Sequence, residues 1–391
     1  MKKVLLAALA AALVLAACGQ GSEESGSTEE PDTPADDQAA EPTEDEEGEP
    51  DASADDDETD DQGSLSGQLA VAVYGGPTET AWQEAFGAPY AEVAPDVDAV
   101  IAGVPNPSSL AFTQEGDQQF DVLLVTGTNV AQILDSDTQL YEPIDPSSLS
   151  RSGEVYEDLV LTDDDGAWVA VPVFITYYGI VYNTDHVDEG AITSWADLAD
   201  PMFENRLLVN SPFFFSTVDL PMFALANGGG LTDLEPGLEL LEESLPNVRA
   251  TVGNLAEAAS QMASGEVYAS PFYFSQYSQL LDGGAAVDMV LPEEGGLLSP
   301  LYLMIVADSP NVENALGFID VVLQVENQEV AGEKSSYVPV VQDADLIDKI
   351  SERSGFASTE ELLEQLVMPD FFHLAEQQGE NTQRIEDMLA Q

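Results

Sequence analysis

Beyond residue 66 the apolar positions follow two patterns. Short, nearly continuous apolar runs alternate with longer stretches in which apolar residues recur every three or four positions. These are the signatures of strands covered on both faces and of amphipathic helices. Leu69–Tyr74 (LAVAVY) reads as a strand and ends in Gly75-Gly76-Pro77. Thr78 then stands where a side chain can cap a helix, with Trp82, Ala85, Phe86, Tyr90 and Val93 as its apolar face. Phe120–Thr126 (FDVLLVT), RLLVN and VDMVL read as further strands; LAEAASQMA and ENALGFIDVVLQ read as helices. Ser194–Asp197 (SWAD) reads as a helix start with a carboxylate in the first turn. Strands alternating with helices predict α/β lobes with mostly parallel sheets. The 325 residues from Gly67 onward suffice for two such lobes. No internal repeat and no second spanning segment is visible.

The N-terminal pattern is different. Lys2 and Lys3 precede fourteen apolar residues, Val4–Ala17. That run is shorter than the roughly 20 residues a spanning helix needs, and it ends in small residues, as a secretory signal does. Leu15-Ala16-Ala17-Cys18 resembles a bacterial lipobox, which implies cleavage before Cys18 and lipid on its sulfur. An ordinary signal with an incidental cysteine is the alternative. Cys18 is the chain's one cysteine, so a disulfide has no second partner. Gly19–Ser66 then holds 20 Asp or Glu, no Lys or Arg, no aromatic residue and one large aliphatic, Leu65. That composition cannot bury enough apolar surface to offset chain entropy. Residues 18–66 are expected to be a disordered acidic tether, with residues 1–17 as the signal; the alternative is a dispensable acidic tail.

Acidity continues past the tether. Of 74 acidic residues, 54 fall from Gly67 onward, against seven basic ones: Arg151, Arg206, Arg249, Lys334, Lys349, Arg353 and Arg384. The formal charge of this part is −47. Nucleic acid is excluded as a partner, because phosphate contacts need clustered Lys and Arg. Self-repulsion on this scale destabilises a compact state at low ionic strength and is screened in molar salt, where the Debye length is about 3 Å. The composition is that of a halophile.

The chain carries few signals of reaction chemistry. There is no G-x-S-x-G, no G-x-G-x-x-G, no Walker A loop and no H-E-x-x-H. His186 and His373 are far apart with no second metal-ligand signal beside either. Asp163–Gly166 (DDDG) lacks the full spaced calcium loop and its closing Glu; between strand-like segments it reads as a hairpin turn. No enzyme activity, cofactor or metal is expected.

Several longer segments carry a family resemblance. GAWVAVPVFITYYGIVYNTD, ITSWADLADPMFENRLLV, ASGEVYASPFYFS, VDMVLPEEGGLLSPLYLMIVADSPN, ALGFIDVVL and SYVPV resemble, in order, segments of extracellular solute-binding proteins of ABC transporters. The branch they are most similar to is that of spermidine/putrescine-binding proteins. The resemblance implies a two-lobed type II periplasmic-binding fold. Residues 67–172 would form the first part of lobe 1, 173–301 lobe 2, and 302–391 the return to lobe 1 plus C-terminal helices.

It further implies a monomeric receptor, exported and lipid-anchored on the outer face of the cytoplasmic membrane. Such a receptor hands a small solute to ABC permease subunits driven by a separate ATPase. A surface sensor or enzyme module on the same scaffold is the alternative. Ligands in such folds bind beyond the carboxyl ends of strands, which nominates Tyr74, Gly75, Gly76 and Glu79 after the first strand. Thr126 and Gly127 are added after FDVLLV, and Tyr177 and Tyr178 near the crossover. Ser211, Ser216, Thr217, Phe272 and Tyr273 come from the second lobe, and Tyr302 and Tyr337 from the return. Gly75-Gly76 serves either a tight turn or backbone contact with a carboxylate. Glu79 is either a first-turn helix carboxylate or a ligand contact, and Tyr178 and Tyr302 are either core or contact. Phe213, Phe214 and Phe215 are expected to pack the lobe.

Polyamine-binding members carry an aspartate in the segment after EGG; here Leu297–Met304 holds no acid. Ferric-binding members carry adjacent tyrosines where Phe272-Tyr273 stands. Tyr177 and Tyr178 are adjacent, but consecutive strand residues face opposite ways. Of the basic residues only Lys334, three before Tyr337, is expected near the pocket. With no arginine clamp for a multiply charged anion, tyrosines near Glu79 point to a cationic or zwitterionic amine: polyamine-like, an amino acid or a betaine. Carbohydrate, thiamine and iron are the alternatives.

Overall fold

The computed structural model describes residues 65–113, 120–252 and 255–390. The signal segment, Cys18 and the acidic segment up to residue 64 lie outside the described residues. Leu65, the one large aliphatic of that segment, packs against Gly317: a Cβ there would lie 2.6 Å from its Cδ1.

The strands are β1 (Ser66–Tyr74), β2 (Asp96–Val104), β3 (Val122–Thr126), β4 (Leu161–Thr162), β5 (Trp168–Asn183), β6 (Leu207–Val209), β7 (Val248–Thr251), β8 (Ala269–Tyr273), β9 (Val287–Val290), β10 (Gly296–Ile305), β11 (Val338–Pro339) and β12 (Leu366–Val367). They pair in the order β2-β1-β3-β10-β5-β8-β6-β7, with β11, β4 and β9 on β5 and β12 on β10. Within each flank pairing is parallel, β1 with β2 and β3 on one side, β6 with β7 and β8 on the other. The central strands differ from the mostly parallel expectation: β10 runs antiparallel to β3 and β5, and β5 to β8 and β9. The chain passes out along β5 and returns along β10, so the two must oppose.

Continuity of the apolar runs has a direct cause. On β1, Leu69, Val71 and Val73 face one core while Ala72 faces another, and β3 divides Val122 and Leu124 from Leu123 and Val125 in the same way. A third core gathers Tyr178, Ile180, Trp195, Phe203, Phe215 and Phe223 in the second lobe. All 16 residues of β5 and all 10 of β10 are buried. Each large aliphatic so buried contributes roughly 1.5–3 kcal/mol.

The expected lobe boundaries, Pro172/Val173 and Leu301/Tyr302, fall inside these two continuous strands. There the register slips: Leu301 opposes Phe174, but Tyr302 opposes Pro172. Val173 is the extra residue of a bulge, beside a proline that has no N–H to give the ladder.

Local expectations met several corrections. The helix after β1 begins at Pro77 with Gly76 (φ 79°) as its N-cap, so Thr78 lies inside the first turn and caps nothing. The single helix expected there is broken by a π turn at Gln83–Gly87. Pro89 follows in the first turn of the next helix, Ala88–Val93, and has no N–H for an i−4 bond. Trp82, Ala85, Phe86 and Tyr90 are buried as a face, whereas Val93 is 64% exposed. SWAD opens a short 3-10 turn, Trp195–Ala199, where Asp197 Oδ2 accepts from the backbone N–H of Ser194 at 3.0 Å. DDDG forms the β4–β5 turn: Asp163 Oδ1 accepts from the N–H groups of Asp165 and Ala167, both at 3.0 Å. Among the described residues no three His, Cys, Asp or Glu side chains gather to hold a metal, and no helix is long and apolar enough to cross a membrane.

Candidate functional site

The ends of β1, β3 and β8 deliver Tyr74, Thr126 and Tyr273 to one cleft, and the segment before β11 delivers Tyr337. Its floor is the middle of the crossover pair, where the Thr176 hydroxyl of β5 donates to the Ser299 carbonyl of β10. The cleft comprises two cavities of about 280 and 430 Å³ that share Tyr74, Thr126, Phe214, Tyr273 and Ser299. Asn106, Ser108, Asn129, Phe371 and Gln378 complete the first; Thr78, Ser275, Gln276 and Gln279 complete the second. Among the described residues, no Asp, Glu, Lys, Arg or His lines either. In a chain of formal charge −65, the cleft wall is uncharged.

Tyr74, Tyr273 and Tyr337 stay neutral phenols. Burial pushes the Tyr74 hydroxyl well up, and the neighbouring Tyr273 and Tyr337 add to it. Burial likewise raises Tyr273 and Tyr337. Three neutral rings plus Phe214 therefore offer π faces, while Thr, Ser, Asn and Gln side chains offer hydrogen bonds. Such a wall can hold an organic cation by cation–π contact or stack on an apolar ring face.

Of the residues nominated from sequence, Tyr74, Thr126, Thr217, Tyr273 and Tyr337 line this cleft. The others stand elsewhere. Tyr177 is buried and stacks on Phe274, ring centroids 4.9 Å apart. Tyr302 is core, its hydroxyl donating to the Leu159 carbonyl at 2.9 Å, and Phe272 is core as well. Ser216 is buried, donating to the Phe213 carbonyl at 2.8 Å. Ser211 precedes the Pro212–Phe215 turn without a side-chain cap. Gly75 donates its N–H to Val104, Gly76 is the positive-φ N-cap, and Gly127 meets the Phe371 ring. Glu79 does not reach the cleft: its Oε2 lies where a Cβ on Gly103 of β2 would be 2.4 Å away. The ammonium partner expected there is displaced toward β2.

Tyr178 backs the wall. Its ring meets Tyr273 edge-on at 5.0 Å, and its hydroxyl lies 3.1 Å from Oδ1 of the fully buried Asp219. Burial pushes the Asp219 carboxyl up to about 7, against hydrogen bonds from Asn210 and Tyr178 that lower it.

The seven cations among the described residues are held outside the cleft. Six form ion pairs, Lys334 with Glu84 among them. Arg206 donates to the Gly265 and Glu266 carbonyls and lies over Tyr268. Lys334 lines a neighbouring cavity that shares Tyr337 with the cleft.

Phe213 and Phe214, expected to pack, are 49% and 54% exposed and line the cleft; only Phe215 is core. The run itself held the signal, because successive helical residues point about 100° apart and three cannot all face inward. Phe371 and Gln378 had no local signal. They arrive on the C-terminal helix Phe371–Leu389, where Gln378 accepts from Gln132 at 2.6 Å and Thr382 meets Ser216 at 3.2 Å.

A cleft at strand ends between two α/β lobes, crossed by two long antiparallel strands, defines the type II periplasmic-binding fold. The chain belongs to the bacterial extracellular solute-binding protein family, whose sequence model matches residues 122–358. It is 29% identical over 171 residues to a spermidine/putrescine-binding periplasmic protein of Salmonella typhimurium, covering 43% of this chain and 48% of that one. The chain spans about half the length of the curated relatives it matches first. Among solved structures, the spermidine/putrescine ABC transporter substrate-binding protein PotD of Streptococcus pneumoniae superposes with a TM-score of 0.69 at 21% identity, over 83% of this chain and 98% of that one. A GABA receptor superposes with a TM-score of 0.69 at 19% identity, over the same shares.

Proposed function

We infer that this protein is the solute receptor of an ABC importer, capturing a small cationic or zwitterionic amine and delivering it to permease subunits energised by a separate ATPase. The observation carrying this reading is the convergence of Tyr74, Tyr273, Tyr337 and Phe214 on one uncharged cleft. Ligand binding across the lobes favours a closed state that the permease recognises. A long polyamine suits this wall less well than a compact betaine, choline or amino acid, because among the described residues no carboxylate lines the cleft to pair with each ammonium. The names of the relatives, polyamine-binding and GABA-binding, support an amine without specifying one. Anchoring through lipid on Cys18, at the outer face of the cytoplasmic membrane, is part of the same proposal.

Calorimetry in multimolar KCl with glycine betaine, choline, GABA, spermidine, glucose and citrate tests it. Cation–π contact is worth about 0.5–2 kcal/mol per ring, so Tyr74→Ala and Tyr273→Ala should each weaken amine binding about 2- to 30-fold. Tight binding of citrate, or amine binding indifferent to both substitutions, refutes the assignment. Binding of glucose alone makes it a carbohydrate receptor.

A further inference from the structure

We propose that Asp219 is the counter-charge of the solute's cationic group, acting from one ring layer behind the cleft wall through Tyr178 and Tyr273. This rests on the amine reading above and adds the residue that selects for charge.

Thr217 and Val218 line the cleft, and the chain then turns into the helix Asp219–Ala226 with Asp219 fully buried. Its Oδ2 accepts from Asn210 Nδ2 at 2.8 Å and its Oδ1 lies 3.1 Å from the Tyr178 hydroxyl. No Lys, Arg or His pairs with it among the described residues. The titratable groups facing it are Tyr178 on β5 and Tyr273 at the end of β8. Of the elements packed on its helix, Glu235–Ser244 presents Glu235, Glu239, Glu242 and Glu243 to solvent, and Asp197 of the Trp195–Ala199 turn is occupied by the Thr193 and Ser194 N–H groups.

The hydrogen bonds around Asp219 accommodate either of its protonation states. The Tyr178 hydroxyl oxygen accepts from Asn210 Nδ2, and its one proton has two acceptors in reach, Asp219 Oδ1 at 3.1 Å and the Pro271 carbonyl at 3.0 Å. Given to Pro271, that proton leaves two oxygens facing each other unless Asp219 is itself protonated and donates to Tyr178. Burial tips the choice toward the neutral acid, pushing the carboxyl up to about 7 against the hydrogen bonds from Asn210 and Tyr178. A cation against Tyr273 reverses the balance: Asp219 gives its proton to solvent past half-buried Asn210, and the Tyr178 hydroxyl turns to the carboxylate. The cleft thus stays uncharged when empty and acquires one negative charge behind its wall when a cation enters.

The test is calorimetry of wild type and Asp219→Asn in multimolar KCl with choline, glycine betaine and 3,3-dimethylbutanol, the uncharged carbon isostere of choline. Phosphate and Tris at pH 7 differ in ionisation enthalpy and so read proton release. Cation binding to wild type should release a fraction of a proton and tighten as pH rises through 7, about tenfold for each unit by which the carboxyl shifts. Asp219→Asn should lose that tenfold for cations and nothing for the alcohol, with no proton release. Tyr178→Phe, which keeps the carboxylate, should move the pH midpoint upward. Equal cation affinity in Asp219→Asn, buffer-independent enthalpy in wild type, or equal losses for choline and its isostere overturn the inference while the receptor reading stands. If wild type binds the alcohol and no cation, both the inference and the amine reading fall.

Discussion

Replacing Asp219 by Asn should make the protein more stable than wild type at neutral pH and above, and the gain should itself depend on pH. The carboxyl is fully buried and stands at about 7 in the native state, against an ordinary value of 3.8, with desolvation as the leading cause. Its raised folded value means the native state holds a proton that the unfolded chain has released between about pH 4 and 7. The stabilisation is complete below pH 3.8 and is lost as pH rises through 7, at about 1.4 kcal/mol per unit. Across the window the loss is about 4 kcal/mol. Asparagine does not titrate and still accepts from Asn210, so the variant lacks this slope. Urea unfolding at fixed multimolar KCl, followed by fluorescence of Trp195, which stacks 6.1 Å from Tyr178, measures both proteins from pH 4.5 to 9. The stability difference should grow by a few kcal/mol in favour of Asn up to pH 7–8 and then level off. Parallel profiles would show that Asp219 titrates normally and refute the reasoning.

Three further outcomes are expected. Melting temperature should climb steeply from low salt to molar KCl, as screening relieves the self-repulsion of a chain with 74 acidic and nine basic residues; a flat profile contradicts this. Gly127→Ala places a Cβ 2.6 Å from the Phe371 ring, which lines the cleft and must shift, costing about 1–3 kcal/mol of stability and weakening solute binding; unchanged melting and affinity would show that the ring moves freely. Cys18→Ser should release the protein from the membrane fraction or stall its processing, since stable attachment takes at least two acyl chains; full processing with unchanged attachment contradicts the lipid anchor.

Tyr74, Thr126 and Tyr273 were legible as cleft residues because each ends an apolar run, and strand ends converge wherever parallel strands share a sheet. Tyr177 and Tyr178 were not separable on paper. Their alternation is visible, but which face looks to the cleft depends on how β5 pairs with β10 and β8, and both proved to be buried. Tyr302 has the same history, its pleat turned toward Leu159. Glu79 directly follows Thr78, which lines the cleft, and the Pro77–Trp82 helix turns its side chain away, toward Gly103.

The sequence alone determined the alternation of strands with helices and the excess of negative charge, and its expectation of mostly parallel sheets holds for the flanks but not for β5 and β10. These follow from local periodicity and composition, which need no partner to be read. Tertiary structure alone decided that the cleft would be free of charge and that Phe371 and Gln378 would come to it from the C-terminal helix. It alone hid Asp219 behind Tyr178. Those facts depend on contacts between residues such as Gln132 and Gln378, 246 positions apart, and on which side of a wall a side chain falls. A carboxylate's chemistry is set by what surrounds it, and in a chain this acidic only packing distinguishes an acid that has lost its water, as Asp219 has.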